Sequence, residues 1–306
     1  MSKYPSEIFG YYWKNTSKDA TAARHKYFCP FVNKACYKKS RLISYPFGVC
    51  TAHVDKEDIA LCPRRFLDSG TVFRDIAKAH FGTTNNILIF SEVGLKGIGN
   101  FDFVMVKHKP LSNVVEDFTV IEFQTDQTTS TGKLVEGFTD FITHGTFSEA
   151  ATYNFGVNYY DIWKRTFTQV LNKGIILEKW NRKIFWVVQQ PIFDYFQTKC
   201  RLGKLGYDKN HASVFALYNL KAKGNDLPLK LTGMVSSTVD NLFNAFRKND
   251  DIPPVDQFID RLQTKVNTDI SLGLRLDTRG GSSQLDVSRP TSSGRTKEEQ
   301  TEYDGE

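Results

Sequence analysis

Several features that quickly sort a protein are missing from this chain. No apolar run approaches the roughly 20 residues needed to cross a bilayer, which reads against a membrane protein. The opening residues, Met1-Ser2-Lys3-Tyr4-Pro5, have neither the apolar stretch nor the cleavage site of a secretory signal. A soluble, cytoplasmic protein is the expectation. None of the six histidines pairs with a serine or cysteine in a recognisable hydrolase pattern. No glycine cluster has the strand-GxGxxG-helix order of a dinucleotide site, and no internal repeat is visible.

Acidic residues are absent from one long segment. Between Asp19 and Asp55 there are none, yet Arg24, Lys26, Lys34, Lys38, Lys39 and Arg41 all fall there. The net charge of +6 therefore equals the charge of that one segment. Such a patch suits phosphate contact, and it equally describes a solvated face.

Cysteine is scarce and unevenly placed. Of five, Cys29, Cys36, Cys50 and Cys62 fall within 34 residues, while Cys200 stands apart and reads as a small buried hydrophobe. Two disulfides would need an oxidising compartment that the sequence gives no route to. Four thiolates around one tetrahedral ion would work in a reducing cytosol and would cross-link a segment too polar to fold alone. The spacings are not those of paired CxxC knuckles, so four unrelated free cysteines remain the plain alternative. His53 is a reserve ligand.

The 306 residues allow one large or two small domains. Residues 1–66 read as a loop-rich four-cysteine module, 67–272 as the main core, and 273–306 as a tail too polar to bury a core. Asp68-Ser69 caps an expected helix through Val72, Phe73, Ile76, Ala77 and His80, which Gly82 ends. Three strands follow, Asn86–Ser91, Phe101–Val106 and Phe118–Gln124, then a helix starting after Gly132. Tyr160, Trp163, Phe167 and Leu171 mark a longer amphipathic helix. Ile184–Val188 reads as a buried strand closed by Pro191, Val214–Leu220 and Leu229–Leu231 as edge strands, and Asp256–Val266 as a helix. The order gives a mixed α/β core rather than regular βαβ alternation.

The chemistry gathers on the three strands. Asp102 opens an otherwise apolar strand, and alternation puts Glu122 and Gln124 on one face of the next, roughly 6.6 Å apart. Charges among Val, Ile and Phe need compensation, and a divalent cation supplies it. Pairing of the strands brings Asp102 and Glu122 within reach of one Mg²⁺, which prefers oxygen ligands and keeps waters. Glu92, ending the preceding strand, adds a third carboxylate to that edge. The competing reading is a set of ordinary strand-end acids.

Glu92, Asp102 and then Glu122-Phe123-Gln124 resemble the active site of the NotI-like restriction endonucleases, a branch of the PD-(D/E)XK superfamily. In that branch glutamine replaces the usual lysine of the E-x-K element, as Gln124 does here. The cysteine segment ahead of the core is similar to that family's metal module. The resemblance spans about residues 25–145, and Asn100-Phe101 stands where a proline would ordinarily precede Asp102. It implies a homodimeric type II enzyme cutting palindromic double-stranded DNA. Asp102 and Glu122 would bind Mg²⁺, Gln124 would orient water or metal, and Glu92 would support them. Cys29, Cys36, Cys50 and Cys62 would carry iron, although sulfur ligands alone do not choose between iron and zinc.

Gly94, Gly97 and Gly99 then read as a turn that lets backbone approach DNA or metal, and Lys38, Lys39 and Arg41 as phosphate contacts. Two other readings keep the same core: a structure-specific or repair nuclease, and a metal-stapled DNA-binding protein with a dead nuclease site.

Overall fold

The computed structural model describes residues 2–125, 128–147, 151–247 and 254–268, with two short stretches at 273–274 and 285–286. The chain divides into a unit Met1–Lys248 and a second unit Asn249–Glu306.

The first unit opens with β1 (Lys3–Ile8), β2 (Tyr11–Tyr12), α1 (Lys18–His25), β3 (Phe28–Cys29), β4 (Lys34–Ala35), β5 (Val49–Val54) and β6 (Glu57–Ala60). Ser17 caps α1, its hydroxyl accepting the Ala20 amide at 3.2 Å. A four-stranded antiparallel sheet, ordered β2-β1-β5-β6, replaces the loop-rich module expected for this segment. The reason is burial: β1 and β5 are covered on both faces, so neither shows the alternation that marks a half-buried strand. Ser6 and Glu7 lie buried on β1.

A 3₁₀ segment, Pro63–Gly70, leads into α2 (Thr71–Phe81). Asp68 does not cap that helix. Its carboxylate accepts from Arg65 at 3.0 Å, and Gly70, at φ 65°, occupies the capping position. Gly82, at φ 69°, ends α2 as expected.

The three acidic strands follow as β7 (Ile87–Leu95), β8 (Gly99–His108) and β9 (Val115–Phe123), each a little longer than its apolar run suggests. The glycine cluster forms the β7–β8 hairpin turn, with Gly97 at φ 82° and Gly99 at φ 106°. Next come β10 (Thr128–Thr129), α3 (Thr131–His144), β11 (Gly156–Val157) and α4 (Tyr159–Gln169). The α4 helix runs on through a π-helical turn, Val170–Gly174, into α5 (Ile175–Lys179). The chain finishes this unit with β12 (Lys183–Gln189), α6 (Gln190–Lys199), β13 (Ser213–Leu220), β14 (Leu229–Ser237) and α7 (Val239–Arg247). Pro191 lies in the first turn of α6, where its missing amide costs nothing.

Six strands form one mixed sheet, ordered β14-β13-β12-β9-β8-β7. Strands β9, β12 and β13 run parallel, and the other pairings are antiparallel. Val214–Leu220 was expected at an edge; β13 is interior, because β14 extends to Ser237 and covers it. One face carries Phe103, Phe123 and Tyr218 against α2 and Phe66. The other face carries Glu122, Trp186 and Phe215 beneath α4, the π turn and α6.

The small sheet is bolted to the large one. Gln189 accepts the Ala60 amide at 2.6 Å and donates to the Asp58 carbonyl at 2.8 Å. Arg65, 2% exposed, pairs with Glu7 at 2.7 Å and donates to Asp68 and to the Leu227 carbonyl. Removing one partner of such a buried pair costs about 3–5 kcal/mol. The expected cysteine segment and the expected core thus lie in one compact unit.

The second unit contains α8 (Val255–Thr268), where the sequence pattern places a helix, and the paired strands β15 (Gly273–Leu274) and β16 (Leu285–Asp286). The rest of the expected tail lies outside the described residues.

Candidate active site

Sheet register aligns the three acids. The β7–β8 ladder pairs Ser91 with Phe103 and Val93 with Phe101, which leaves Glu92 across from Asp102. The β8–β9 ladder ends on Phe103 and Ile121, and the next step sets Asp102 across from Glu122. On regular strands, side chains directly opposite share a face with Cβ atoms roughly 4.5–5.5 Å apart, which describes Asp102 and Glu122; Glu92 is near enough to Asp102 for its charge to act on that carboxyl. Glu92 itself adopts φ 54°, a left-handed conformation uncommon for a non-glycine residue and often found at functional sites. Exposure falls along the row: Glu92 is exposed, Asp102 half-buried, and Glu122 fully buried.

The environment of each acid follows from that gradient. Asp102 Oδ2 accepts the Phe123 amide at 2.8 Å. Its carboxyl titrates above the ordinary range, chiefly through burial, with Glu92 adding to the effect and the Phe123 amide and Lys173 opposing it. The Glu122 carboxyl is pushed up to about 7 by burial and then by the Asp102 charge, against the pull of Lys173. Glu122 Oε1 accepts from Lys173 Nζ at 2.6 Å. Among the described residues Glu122 Oε2, which is buried, has no hydrogen-bond partner. An ionised oxygen in that state is costly, and a cation bound there would relieve it. Two carboxylates, with water and phosphate oxygens, form the donor set Mg²⁺ takes.

Gln124 and Lys173 meet at one helix face, Gln124 touching it from the sheet and Lys173 carried on it. Gln124 is buried just past β9, where its amide still bonds the Val187 carbonyl at 2.8 Å. Its Oε1 accepts from the Thr166 hydroxyl at 2.8 Å, and its Nε2 donates to Gln169 Oε1 at 2.8 Å. Lys173 sits in the π turn, buried, donating also to the Asn100 carbonyl at 2.7 Å and lying over the Phe101 ring. Sequence reasoning missed it because it lies 51 residues beyond Glu122. One signal was available: Ile162, Thr166, Val170, Lys173 and Leu177 are a buried helical stripe with a lysine in it.

The sequence profile of restriction endonuclease NotI matches residues 13–231, well over half of the chain and all of this site. The chain belongs to the NotI restriction endonuclease family. As a member it is a restriction endonuclease, a hydrolase that acts on DNA. No curated protein matches it.

Two more regions bear on how a NotI-family nuclease would work. Cys29, Cys36, Cys50 and Cys62, all free thiols, line one cavity of about 10 Å³, together with Lys38 and Arg64. Burial pushes the Cys50 thiol well up, with Glu7 and Cys62 next in effect, so the charged form needs a cation to persist. Among the described residues no group of three or more histidine, cysteine or carboxylate side chains is arranged to hold a metal. The four thiols share a cavity without forming a closed ligand set. His53 is not among the lining residues: its ring nitrogens bond Asp58 at 3.1 Å and the Asp55 carbonyl at 3.0 Å.

The second region is an open cleft of about 690 Å³, lined by Lys38, Lys39, Ser40, Arg41 and Arg165 with Thr125, Thr128 and Thr131. Among the described residues its lining contains no carboxylate. Thr125 follows Gln124 directly, so one wall of the cleft is continuous with the end of β9. The basic segment is not uniformly available to it. Lys38 Nζ turns inward to the Val49 and Leu61 carbonyls at 3.0 and 3.3 Å, and Arg24 bonds the Asn15 and Tyr12 carbonyls. Lys39 and Arg41 remain for the cleft. Among the described residues no helix is long and apolar enough to cross a membrane.

Proposed function

We propose that this protein is a Mg²⁺-dependent type II restriction endonuclease with a PD-(D/E)XK core, cutting palindromic double-stranded DNA as a homodimer. The observation that carries the reading is the row Glu92, Asp102 and Glu122 on three neighbouring strands, in which a buried Glu122 oxygen has no partner among the described residues. Asp102 and Glu122 hold the cation, Glu92 supports them from the exposed end, and Gln124 completes the site from β9. When bound, Mg²⁺ polarises the phosphodiester and makes water more acidic. Hydrolysis joins the water oxygen to phosphorus and breaks one P–O ester bond. The water gives up a proton, and the leaving oxygen takes one.

The basic cleft supplies phosphate contacts through Lys39, Arg41 and Arg165, which fix register on the duplex. Two copies of the chain related by a two-fold axis match the symmetry of a palindrome and bring one site to each strand. Cys29, Cys36, Cys50 and Cys62 close on one structural iron or zinc ion, which together with Lys38 and Arg64 offsets the charge of four thiolates.

The test is incubation of purified protein with long, sequence-diverse duplex DNA, with and without Mg²⁺, resolved on a gel. Discrete fragments that require Mg²⁺ are expected. A smear, cutting confined to branched or flapped DNA, or intact DNA with every divalent ion would overturn the reading.

A further inference from the structure

Gln124 stands where an E-x-K element carries its lysine, yet both polar atoms of its side chain are already engaged by α4. The side chain that reaches Glu122 is Lys173. Its ammonium is held by Glu122 Oε1 at 2.6 Å and the Asn100 carbonyl at 2.7 Å, above the Phe101 ring at 5.4 Å. Those contacts tie it to the two strands that bear Asp102 and Glu122. The two oxygens of Glu122 are therefore divided, Oε1 facing the ammonium and Oε2 left without a partner among the described residues.

Local helix geometry explains how Lys173 arrives there. Thr166, Gln169 and Lys173 follow one another at spacings of three and four, along one side of a helix. Gln124 grips the first two. Between Gln169 and α5 the helix widens into the π turn Val170–Gly174, a rare distortion frequent at functional sites. Gly174 allows close packing there: an added Cβ would lie 3.2 Å from Val239 and 3.3 Å from Ser213. The widened turn directs Lys173 at the strand ends, not along the helix surface.

We propose that Lys173 is a catalytic residue, its ammonium contacting the scissile phosphate beside Glu122, and that Gln124 is a positioning residue that holds the helix bearing it. The lysine expected two residues after Glu122 is thus supplied from another element. A phosphate in hydrolysis gathers negative charge on its non-bridging oxygens, and a fixed cation in a site of low dielectric stabilises that charge. Glu122 keeps the ammonium in place while its second oxygen stays open to the divalent ion. Gln124 touches neither phosphate nor water and acts only through α4.

This rests on the cleavage reading above, and the two fail differently. Wild type, K173M, K173R, Q124A and the double variant K173M/Q124A are assayed on duplex DNA that wild type cuts. DNA binding in Ca²⁺ and thermal unfolding are followed in parallel. Wild type that cuts nothing sinks the cleavage reading and this proposal with it; wild type that cuts beside a near-normal K173M sinks this proposal alone. The expected result is a kcat lowered about a hundredfold or more in K173M, with KM and duplex binding within twofold. Q124A lowers kcat about tenfold at unchanged KM, and adds nothing in the K173M background. Multiplicative losses in the double variant would show Gln124 acting independently, at the water or the cation. If K173M does not fold, K173R decides: its charge is retained but displaced. A kcat at least tenfold down with normal binding supports the role, and a near-normal kcat overturns it.

Discussion

The carboxylate row and the cysteine cavity are both built from residues spread along the sequence, but the fold assembles them by different means. Glu92, Asp102 and Glu122 lie on three consecutive strands, and strand register brings them together, with Glu92 also set by its own left-handed backbone. Cys29, Cys36, Cys50 and Cys62 come from a two-residue strand, the loop after a second, a longer strand and the turn before a 3₁₀ segment. No single ladder sets their separation. The β8–β9 part of a register-built site is rigid before anything binds, because slipping either strand would turn its buried face outward. A site gathered from short strands and loops leaves a ligand more to organise. The carboxylates should thus lose function without losing fold, and the cysteines the reverse.

The sharpest test of that contrast is at the row. Asp102→Ala and Glu122→Ala should each cut cleavage by roughly 10²–10³-fold or more, measured as fragments released per unit time. Duplex binding in Ca²⁺ and the melting temperature should stay near wild type. Substantial residual cutting by either variant would move the active site elsewhere.

At the cysteines the effect should appear as stability. Purified protein is expected to carry about one iron or zinc per chain by elemental analysis. Stripping it with a chelator should cost about 3 kcal/mol, a drop of roughly 10 °C in melting temperature for a fold of this size. Metal-free protein with unchanged melting would break the comparison, since the cysteines would then be ordinary buried thiols.

The smallest expected effect separates the basic residues from one another. Lys39→Ala and Arg41→Ala should each weaken duplex binding across all sequences and lower the salt dependence, log Kd against log salt, by about one. Lys38→Met should leave that slope unchanged, because its ammonium bonds the Val49 and Leu61 carbonyls. An equal change of slope for all three would mean that the inward set of Lys38 is not kept when DNA binds.

What could be read in advance tracks how local the signal is. Strands β7, β8 and β9 announce themselves as apolar runs, and Asp102, Glu122 and Gln124 are conspicuous within or beside them. The N-terminal sheet was illegible because β1 and β5 are buried on both sides, and Glu7 is tolerated there through Arg65 and Thr51, both far along the chain. Helix α6 went unseen because Pro191 reads as a stop when it is in fact a first-turn residue.

The sequence by itself determined the mixed α/β character, the three acids and their order, and the clustering of four cysteines, because periodicity and residue chemistry are properties of short stretches. Only the tertiary structure decided that Glu92, Asp102 and Glu122 stand in one row, that Gln124 is engaged by Thr166 and Gln169, and that Lys173 meets Glu122. Those facts depend on strand register and on a helix laid across the sheet. No local pattern encodes which distant lysine a buried carboxylate will find.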